Sequence, residues 1–326
     1  MSDYAVAVVS EDVCKEVVSR ADAFEAVEAV FGAMAKGDAW NFPVVREAIG
    51  HADALYGFKS GFDRAGQVLG VKSGGYWPNN LSRGLTNHQS VVALFDPDTG
   101  RLRALVGGNY LTAVRTAASS AVSIKHLSRP DSKILGMVGA GHQSTFQLRA
   151  AAEQRAFEKV LAWNPHPDMI PNLARVADEL GLPFEAVERE RLCAEADVII
   201  TITSAFEPLL MAGWIKPGCH IACMGTDTKG KQEVDAALFK RASVFCDEVA
   251  QSATIGEAQH AVAQGLIDQD AITPIGRVIN GDHPGRTSAE EITLFDGTGV
   301  GLQDLAAAAV ALKRAEEAGK ATFASL

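Results

Sequence analysis

The sequence lacks the features that tie a chain to a membrane, to nucleic acid or to an oxidising compartment. No unbroken apolar run approaches the ~18 residues that a transmembrane helix requires. No basic tract occurs and the formal net charge is −10, which argues against nucleic acid and anionic membrane surfaces as partners. The opening Met1-Ser2-Asp3-Tyr4 lacks the basic start of a secretory signal. Cysteine is scarce. The five residues, an odd number without paired spacing, read as reduced thiols and point to the cytoplasm. Cys219 and Cys223 have a spacing that metal sites use, but "CHIACMG" reads as a strand. Four residues along a strand cover about 13 Å, too far for two sulfurs to share one ion. No metal is therefore expected. Internal repeats and low-complexity segments are also missing. A hydrophobic fraction of 47% and a charged fraction of 21% are those of a globular protein.

What is present changes character near residue 130. Before it, "AFEAVEAVFGAMAKGD" carries Phe24, Val27, Phe31 and Met34 at helical spacing and ends at Gly37. Strand-like stretches follow in "ALYGFKSGFD", "GQVLGVKSGGYWP" and "SVVALFDPDTGRLRALVGG". In the last, the turn residues Asp96 to Gly100 separate two apolar runs and predict a hairpin. "YLTAVRTAASSAVSIKHLS" reads as a long helix. This region is expected to be antiparallel strands with helices. From Lys133, short apolar runs alternate with helical patterns, the grammar of βαβ units and a parallel sheet. "LQDLAAAAVALKRAEEAGKA" closes the chain as a strong helix able to cross back to the first region.

The loop "VGAGHQS" follows the first strand of the second region and opens a helix. Gly139 would permit the tight turn, and Gly141 the close approach of a pyrophosphate. The free N–H groups and dipole of the helix would stabilise its charge. Ala140, His142 and Gln143 complete the loop. A dinucleotide fingerprint has a third glycine where Ser144 stands. Serine is small enough for helix–strand packing, and its hydroxyl could cap the helix or reach phosphate. The strand "KVLAWN" ends in Asn164 rather than an acidic residue. Asn164 can bond a ribose hydroxyl, and no arginine follows directly to bind a 2′-phosphate. The lean is toward NAD(H), with NADP(H) left open.

Several separated stretches together resemble the ornithine cyclodeaminase/mu-crystallin family over nearly the whole chain. They are "VKSGGYWPNN", "SVVALFDPDTGRLRALVGGNYLTAVRTAA", "GMVGAGHQS", "GTDTKGKQEVD" and "TLFDGTGVGLQDLAAA". The resemblance implies an α/β architecture: a Rossmann dinucleotide-binding domain, residues 121–302, and an α+β substrate and dimerisation domain. The latter combines the N-terminal half and the C-terminal helix, residues 1–120 and 303–326. A homodimer is implied, as is chemistry at a carbon–nitrogen bond beside a carboxylate.

By the same resemblance Arg46, Lys72 and Arg115 bind the substrate carboxylate, with Lys72 and Asp227 catalytic. Arginine suits this because its fork binds a carboxylate in bidentate fashion. Arg46 also reads as a surface residue, Lys72 as a solvent-facing strand lysine and Asp227 as a turn residue. Arg115 stands near the start of a helix, where a cation opposes the dipole unless an anion is fixed nearby. Thr203 and Ser204, after a strand, are candidate cofactor contacts. The resemblance adds Thr298 and Gly299 near the nicotinamide. The chain departs from the cyclodeaminase pattern at Gly74-Gly75-Tyr76-Trp77 and at Gly297-Thr298-Gly299, and shows no acidic partner for the distal ammonium of ornithine. The expected activity is therefore NADH-dependent reduction of an α-imino acid to an L-amino acid, foremost iminosuccinate to L-aspartate. Ser73, Asn80, Arg83 and His88 are candidates for holding the second carboxylate. The alternatives are cyclic ketimine reduction, alanine dehydrogenation, ornithine cyclisation, and a mu-crystallin-like binding protein without catalysis.

Overall fold

The computed structural model describes residues 5–325. Met1 to Tyr4, read above for the missing signal, lie outside the described residues. The chain divides into two compact units. One comprises residues up to Arg115 together with those from Val300 onward, and the other is Thr116–Gly299. The divisions differ from the expected 120/121 and 302/303. The first falls inside the unbroken helix Asn109–Leu127, so no loop marks it in the sequence. The second falls one residue before the helix Gly301–Glu317.

Among the described residues, the first unit holds an eight-stranded sheet in the order Thr322–Ser325, Ala5–Val9, Leu102–Gly107, His88–Phe95, Val68–Tyr76, Leu55–Asp63, Ala39–Asn41. Val45–Ala48 also pairs with Leu55–Asp63. The expected hairpin is present, its turn organised by the Asp96 carboxylate, which accepts from the backbone N–H of Asp98 and Thr99. One pair departs from the antiparallel expectation: Ala5–Val9 runs parallel to Leu102–Gly107. The strand Thr322–Ser325, past the closing helix, was not foreseen. Helix Arg20–Ala35 begins with a capping box between Ser19 and Asp22 and buries Val27 and Phe31.

The helix Gly301–Glu317 lies against this sheet, and glycines make the approach possible. A Cβ at Gly61 would stand 3.1 Å from Leu302, and one at Gly70 would stand 2.9 Å from Leu305 Cδ2 and 2.6 Å from the Ala93 carbonyl. Leu302, Leu305, Ala308 and Ala311 are buried, so the apolar stripe expected of this helix is its sheet-facing stripe.

The second unit is a wholly parallel sheet in the order Phe184–Ala186, Lys159–Trp163, Ile134–Val138, Val198–Thr201, His220–Cys223, Ile292–Asp296, Ala242–Cys246, Thr273–Pro274. Chain order reverses on either side of Ile134–Val138, as in a doubly wound fold. The inner strands are buried on both faces, which explains their continuous apolar runs, while the edge strands Phe184–Ala186 and Thr273–Pro274 are partly exposed. A small parallel pair, Phe206–Leu210 with Gln232–Val234, stands apart from the sheet. All five cysteines are free and buried. No helix among the described residues is long and apolar enough to cross a membrane.

The close approach at Gly70 gives a direct test. Gly70→Ala should destabilise the protein by about 1–3 kcal/mol through overpacking. Gly213→Ala, where an added Cβ meets nothing within 4 Å, should change stability by less than about 0.5 kcal/mol. Urea denaturation of both variants measures the difference.

Candidate functional site

The sheet of the first unit carries a buried charge cluster. Lys72 stands mid-strand, only 7% exposed, on the side covered by the closing helix. The first turn of that helix supplies Asp304, fully buried. One Asp304 oxygen lies 2.7 Å from Lys72 Nζ, and the other accepts from Arg115 Nε at 2.8 Å. Arg115 Nη1 donates to Gln303 Oε1 at 2.8 Å. The anion expected near Arg115 is therefore Asp304. The N-terminus of the Asn109–Leu127 helix is served separately by Glu11, which accepts from the N–H of Asn109 and Tyr110. Sequence reasoning passed over Gln303 and Asp304. A polar pair inside an otherwise apolar helical stripe was the signal for them.

Burial pushes the Lys72 amine down to about 7; Asp304 opposes the shift, and Arg115 and Lys59 add to it. Burial would raise the Asp304 carboxyl, but Arg115 and Lys72 outweigh it and hold it at about 2. His88 belongs to the same field. Burial and the charge of Lys72 push it down to about 4, so its imidazole is neutral at pH 7.

Strand register defines what surrounds the cluster. Arg46 lies opposite Gly57, Gly57 opposite Gly74, and Gly74 opposite Ser90. The neighbouring row is Lys59, Lys72 and Val92, and the row on the other side brings Leu55, Tyr76 and His88 together. Directly opposed residues share a face, as do residues two apart. Arg46, Lys59, Lys72, His88 and Ser90 thus rim a floor formed by two glycines. Neither glycine can be replaced without moving a strand. A Cβ at Gly57 would lie 2.0 Å from the Val45 carbonyl, and one at Gly74 would lie 2.2 Å from that of Gln89.

The same register turns one of the four candidates for the second carboxylate away from this floor. Ser73 is on the opposite face, paired with the Tyr56 hydroxyl at 2.5 Å. Asn80 is buried and donates to the Thr86 carbonyl, bracing its own loop. Arg83 is exposed in the short helix Asn80–Arg83. Of the four, His88 alone faces the glycine floor. Arg46 lies on an exposed strand but on the Lys72 face.

In the second unit the loop of Gly139 to Gln143 sits at the chain reversal. Gly139 has φ +112°, and its missing Cβ leaves room for the Ile202 carbonyl. Gly141 precedes the helix His142–Ala152, and a Cβ there would meet nothing within 4 Å. Gln143 Oε1 is buried without a hydrogen-bond partner among the described residues. An open glycine and an orphaned acceptor at a helix N-terminus fit a phosphate-bearing ligand whose hydroxyls can donate. Ser144 is fully buried, and its hydroxyl donates to the Gly141 carbonyl at 2.6 Å. It provides the small packing residue, and its proton is spent inside the turn rather than on a phosphate. Asn164 is likewise committed: its Oδ1 accepts from Ala140 N at 3.0 Å and its Nδ2 donates to the His166 carbonyl at 2.8 Å. It holds the loop in shape.

The remaining candidates lie on loops at the same ends of neighbouring strands, each pinned by a buried carboxylate. Glu233 accepts from Thr203 N and Oγ1, from Thr201 Oγ1 and from Gly225 N, at 2.6–2.9 Å. Glu257 accepts from the N–H of Glu233 and Val234 and pairs with the Thr226 hydroxyl. Asp247 accepts from Thr298 N, Thr298 Oγ1 and Gly299 N. Asp227 follows the strand His220–Cys223 on the loop held by Glu233 and Glu257. Its carboxylate meets Lys231 Nζ at 2.8 Å. Ser204 adjoins Thr203 at the end of Val198–Thr201. Burial, reinforced by Glu233, pushes Glu257 up to about 8, and burial pushes Asp296 up to about 7. No group of side chains among the described residues is arranged to hold a metal ion.

The chain is similar to known proteins along nearly its whole length. The model of the ornithine cyclodeaminase/mu-crystallin family matches residues 5–319. The chain is 63% identical over 314 residues to the iminosuccinate reductase of Paracoccus denitrificans, covering 96% of this chain and 98% of that one. The crystal structure of an iminosuccinate reductase from that organism in complex with NAD+ superimposes with a TM-score of 0.96 at 61% identity, covering 99% and 100% of the two chains. An archaeal alanine dehydrogenase dimer with bound NAD gives a TM-score of 0.93 at 29% identity, covering 99% and 100%.

Two outcomes test the electrostatics. Asp304→Asn leaves two buried cations without their anion and should cost about 3–5 kcal/mol of stability by denaturant titration. In the second unit Glu257 and Asp296 hold protons that the unfolded chain releases. Their contribution to stability should therefore fall as pH rises from about 5 to about 7, opposed by His88, which is neutral in the fold and takes up a proton on unfolding below about 6.5. Glu257→Gln removes part of the falling contribution, so its stability relative to wild type should rise with pH across that window in thermal melts.

Proposed function

The chain belongs to the ornithine cyclodeaminase/mu-crystallin family, and from that premise we propose that it reduces iminosuccinate to L-aspartate with NADH. The observation that carries this reading is the cationic floor of the first unit: Lys72 and Arg115 buried around one carboxylate, with Arg46, Lys59 and His88 on the same face. Such a face holds an anionic substrate and rejects a cationic one. It argues against ornithine, whose distal ammonium would meet lysines. The relative that is 63% identical bears the name of this reaction.

Arg115 and Lys72 hold the carboxylate beside the imine, with Arg46 as a further donor. Their geometry is set before substrate arrives, because Asp304 and Gln303 fix both cations. Gly139, Ala140, Gly141, His142 and Gln143 would receive the pyrophosphate of the dinucleotide. Asn164 supports that loop, and Thr203, Ser204, Thr298 and Gly299 line the neighbouring strand ends. When bound, the nicotinamide supplies the hydride that the imine carbon accepts. Asp227 handles the proton that keeps the imine nitrogen cationic, and its carboxylate is paired with Lys231. The absence of an arginine directly after Asn164 favours NADH over NADPH.

We also propose a homodimer. Tyr56, Phe58, Val91 and Leu105 lie on the sheet face opposite Lys72, and each is 36–41% exposed. A second copy of the chain would cover them. The archaeal relative noted above is itself described as a dimer.

The deciding assay is NADH oxidation with oxaloacetate plus ammonia, set against pyruvate plus ammonia and pyrroline-2-carboxylate. The first should give the highest kcat/KM. Asp227→Ala should lower kcat by about 10²- to 10⁴-fold with NADH affinity nearly unchanged. Binding of NADH without turnover of any imine would mean a binding protein, and ornithine consumed without net NADH change would mean a cyclodeaminase.

A further inference from the structure

We propose that Gln259 is a positioning residue for Asp227: it grips the loop that carries this carboxylate and so governs the rate of the proton step. The assignment rests on the imine-reductase reading above, in which Asp227 handles the proton of the imine nitrogen.

The loop has little packing of its own. From Asp227 to Gln232 every residue is half-buried or exposed, so hydrogen bonds must hold it in place. Its tip is a turn, closed by the Lys231 N–H donating to the Thr228 carbonyl at 3.2 Å. Gly230 has φ +88°, a conformation that glycine supplies at no steric cost. Lys231 then reaches back across the turn. Its Nζ donates to the Gly225 carbonyl at 3.1 Å and meets Asp227 Oδ1 at 2.8 Å. The position of Lys231 therefore bears directly on that of the Asp227 carboxylate.

One buried amide grips this turn from outside. Gln259 Oε1 accepts from the Gly230 N–H at 2.7 Å. Its Nε2 donates to the Gly256 carbonyl at 2.8 Å and faces the carbonyls of Lys231 and Thr228 at 3.3 and 3.4 Å. The next residue, His260, adds a contact from Nε2 to the Lys231 carbonyl at 3.0 Å. One N–H on one side and three carbonyls on the other specify an amide, in one orientation. A carboxylate would set its second oxygen against three carbonyl oxygens, and an apolar side chain would bond to none of them. Water could satisfy an exposed turn equally well. An amide that takes over the task fixes where the turn stands as well as its bonds.

The grip is tied to the parallel sheet. A Cβ at Gly256 would lie 2.6 Å from Asp296 Oδ2 and 2.7 Å from Ser252 Cα, so this backbone cannot shift toward them. The Ala258 N–H donates to the same Asp296 oxygen at 3.1 Å, and Asp296 ends the strand Ile292–Asp296. Glu257 of the same segment pairs with the Thr226 hydroxyl, on the other flank of Asp227. A continuous line of contacts runs from the sheet through Gln259 and Lys231 to Asp227.

The experiment is a double-mutant cycle of Gln259→Met and Asp227→Ala. It is read by NADH oxidation with oxaloacetate plus ammonia, with NADH affinity by fluorescence titration and folding by thermal melting. In the wild-type background Gln259→Met should lower kcat by about 10- to 100-fold, while KM for oxaloacetate and Kd for NADH stay within about twofold. In the Asp227→Ala background the same substitution should change kcat by less than about twofold, because the group it positions is gone. Equal losses in both backgrounds, a loss carried by NADH affinity, or an unchanged kcat in the wild-type background would overturn the assignment. Gln259→Glu keeps the shape and the acceptor for Gly230 but not the donors. It repeats the cycle, with the same outcomes expected, should the methionine variant not fold. An Asp227→Ala enzyme as fast as wild type would instead defeat the role of Asp227 in the functional reading, before Gln259 is changed.

Discussion

Everything in the first unit turns on one carboxylate. Asp304 is fully buried between Lys72 and Arg115, and it can be so only because both cations are there. Removing charges from water costs several kcal/mol per ion, so such a group persists where it serves more than stability. Here it brings a helix from the end of the sequence onto strands from its first third and leaves a lysine poised beside a glycine floor. Leu302 and Leu305 seat that helix at the positions where the sheet has no side chains. Packing and electrostatics therefore select the same position for Asp304.

The second unit also relies on buried carboxylates. Its loops are held by Glu233, Glu257 and Asp247, each accepting backbone N–H groups and hydroxyls. A carboxylate with several donors can brace three or four atoms of a loop at once, which a neutral side chain cannot. The cost is crowding of negative charge. It is met by protons, retained on Glu257 and Asp296 close to neutral pH. These loops are thus braced by hydrogen bonds to buried carboxylates.

The change from antiparallel strands to βαβ units was legible in residue order, because hydrophobic period and turn residues are local. The glycine loop and its strand–helix context were legible for the same reason. Contacts made across long separations were not. Arg115 asked for an anion, but nothing near it in sequence could supply one; Asp304 lies 189 positions away. Ser73 read as a donor beside Lys72, yet strand alternation turns it to the other face. Ser144 and Asn164 were read by what they could offer a ligand, and the fold spends part of that capacity within the loop. Lys59 and Lys72 stand apart in sequence, and only antiparallel register brings them opposite one another.

The electrostatic state of Lys72 then follows from these constraints. Burial lowers its affinity for a proton while Asp304 raises it, and the balance falls near neutrality. An anionic substrate beside the amine adds to the Asp304 side of that balance. By linkage, a ligand that raises the affinity of Lys72 for a proton is itself bound more tightly when the proton is present. A lysine fully exposed to water would be charged whatever approached it and would report nothing. A buried lysine without Asp304 would be neutral and unable to hold a carboxylate. Asp304 places Lys72 between those limits, so that in the proposed function arrival of the anion would complete the charge that binds it.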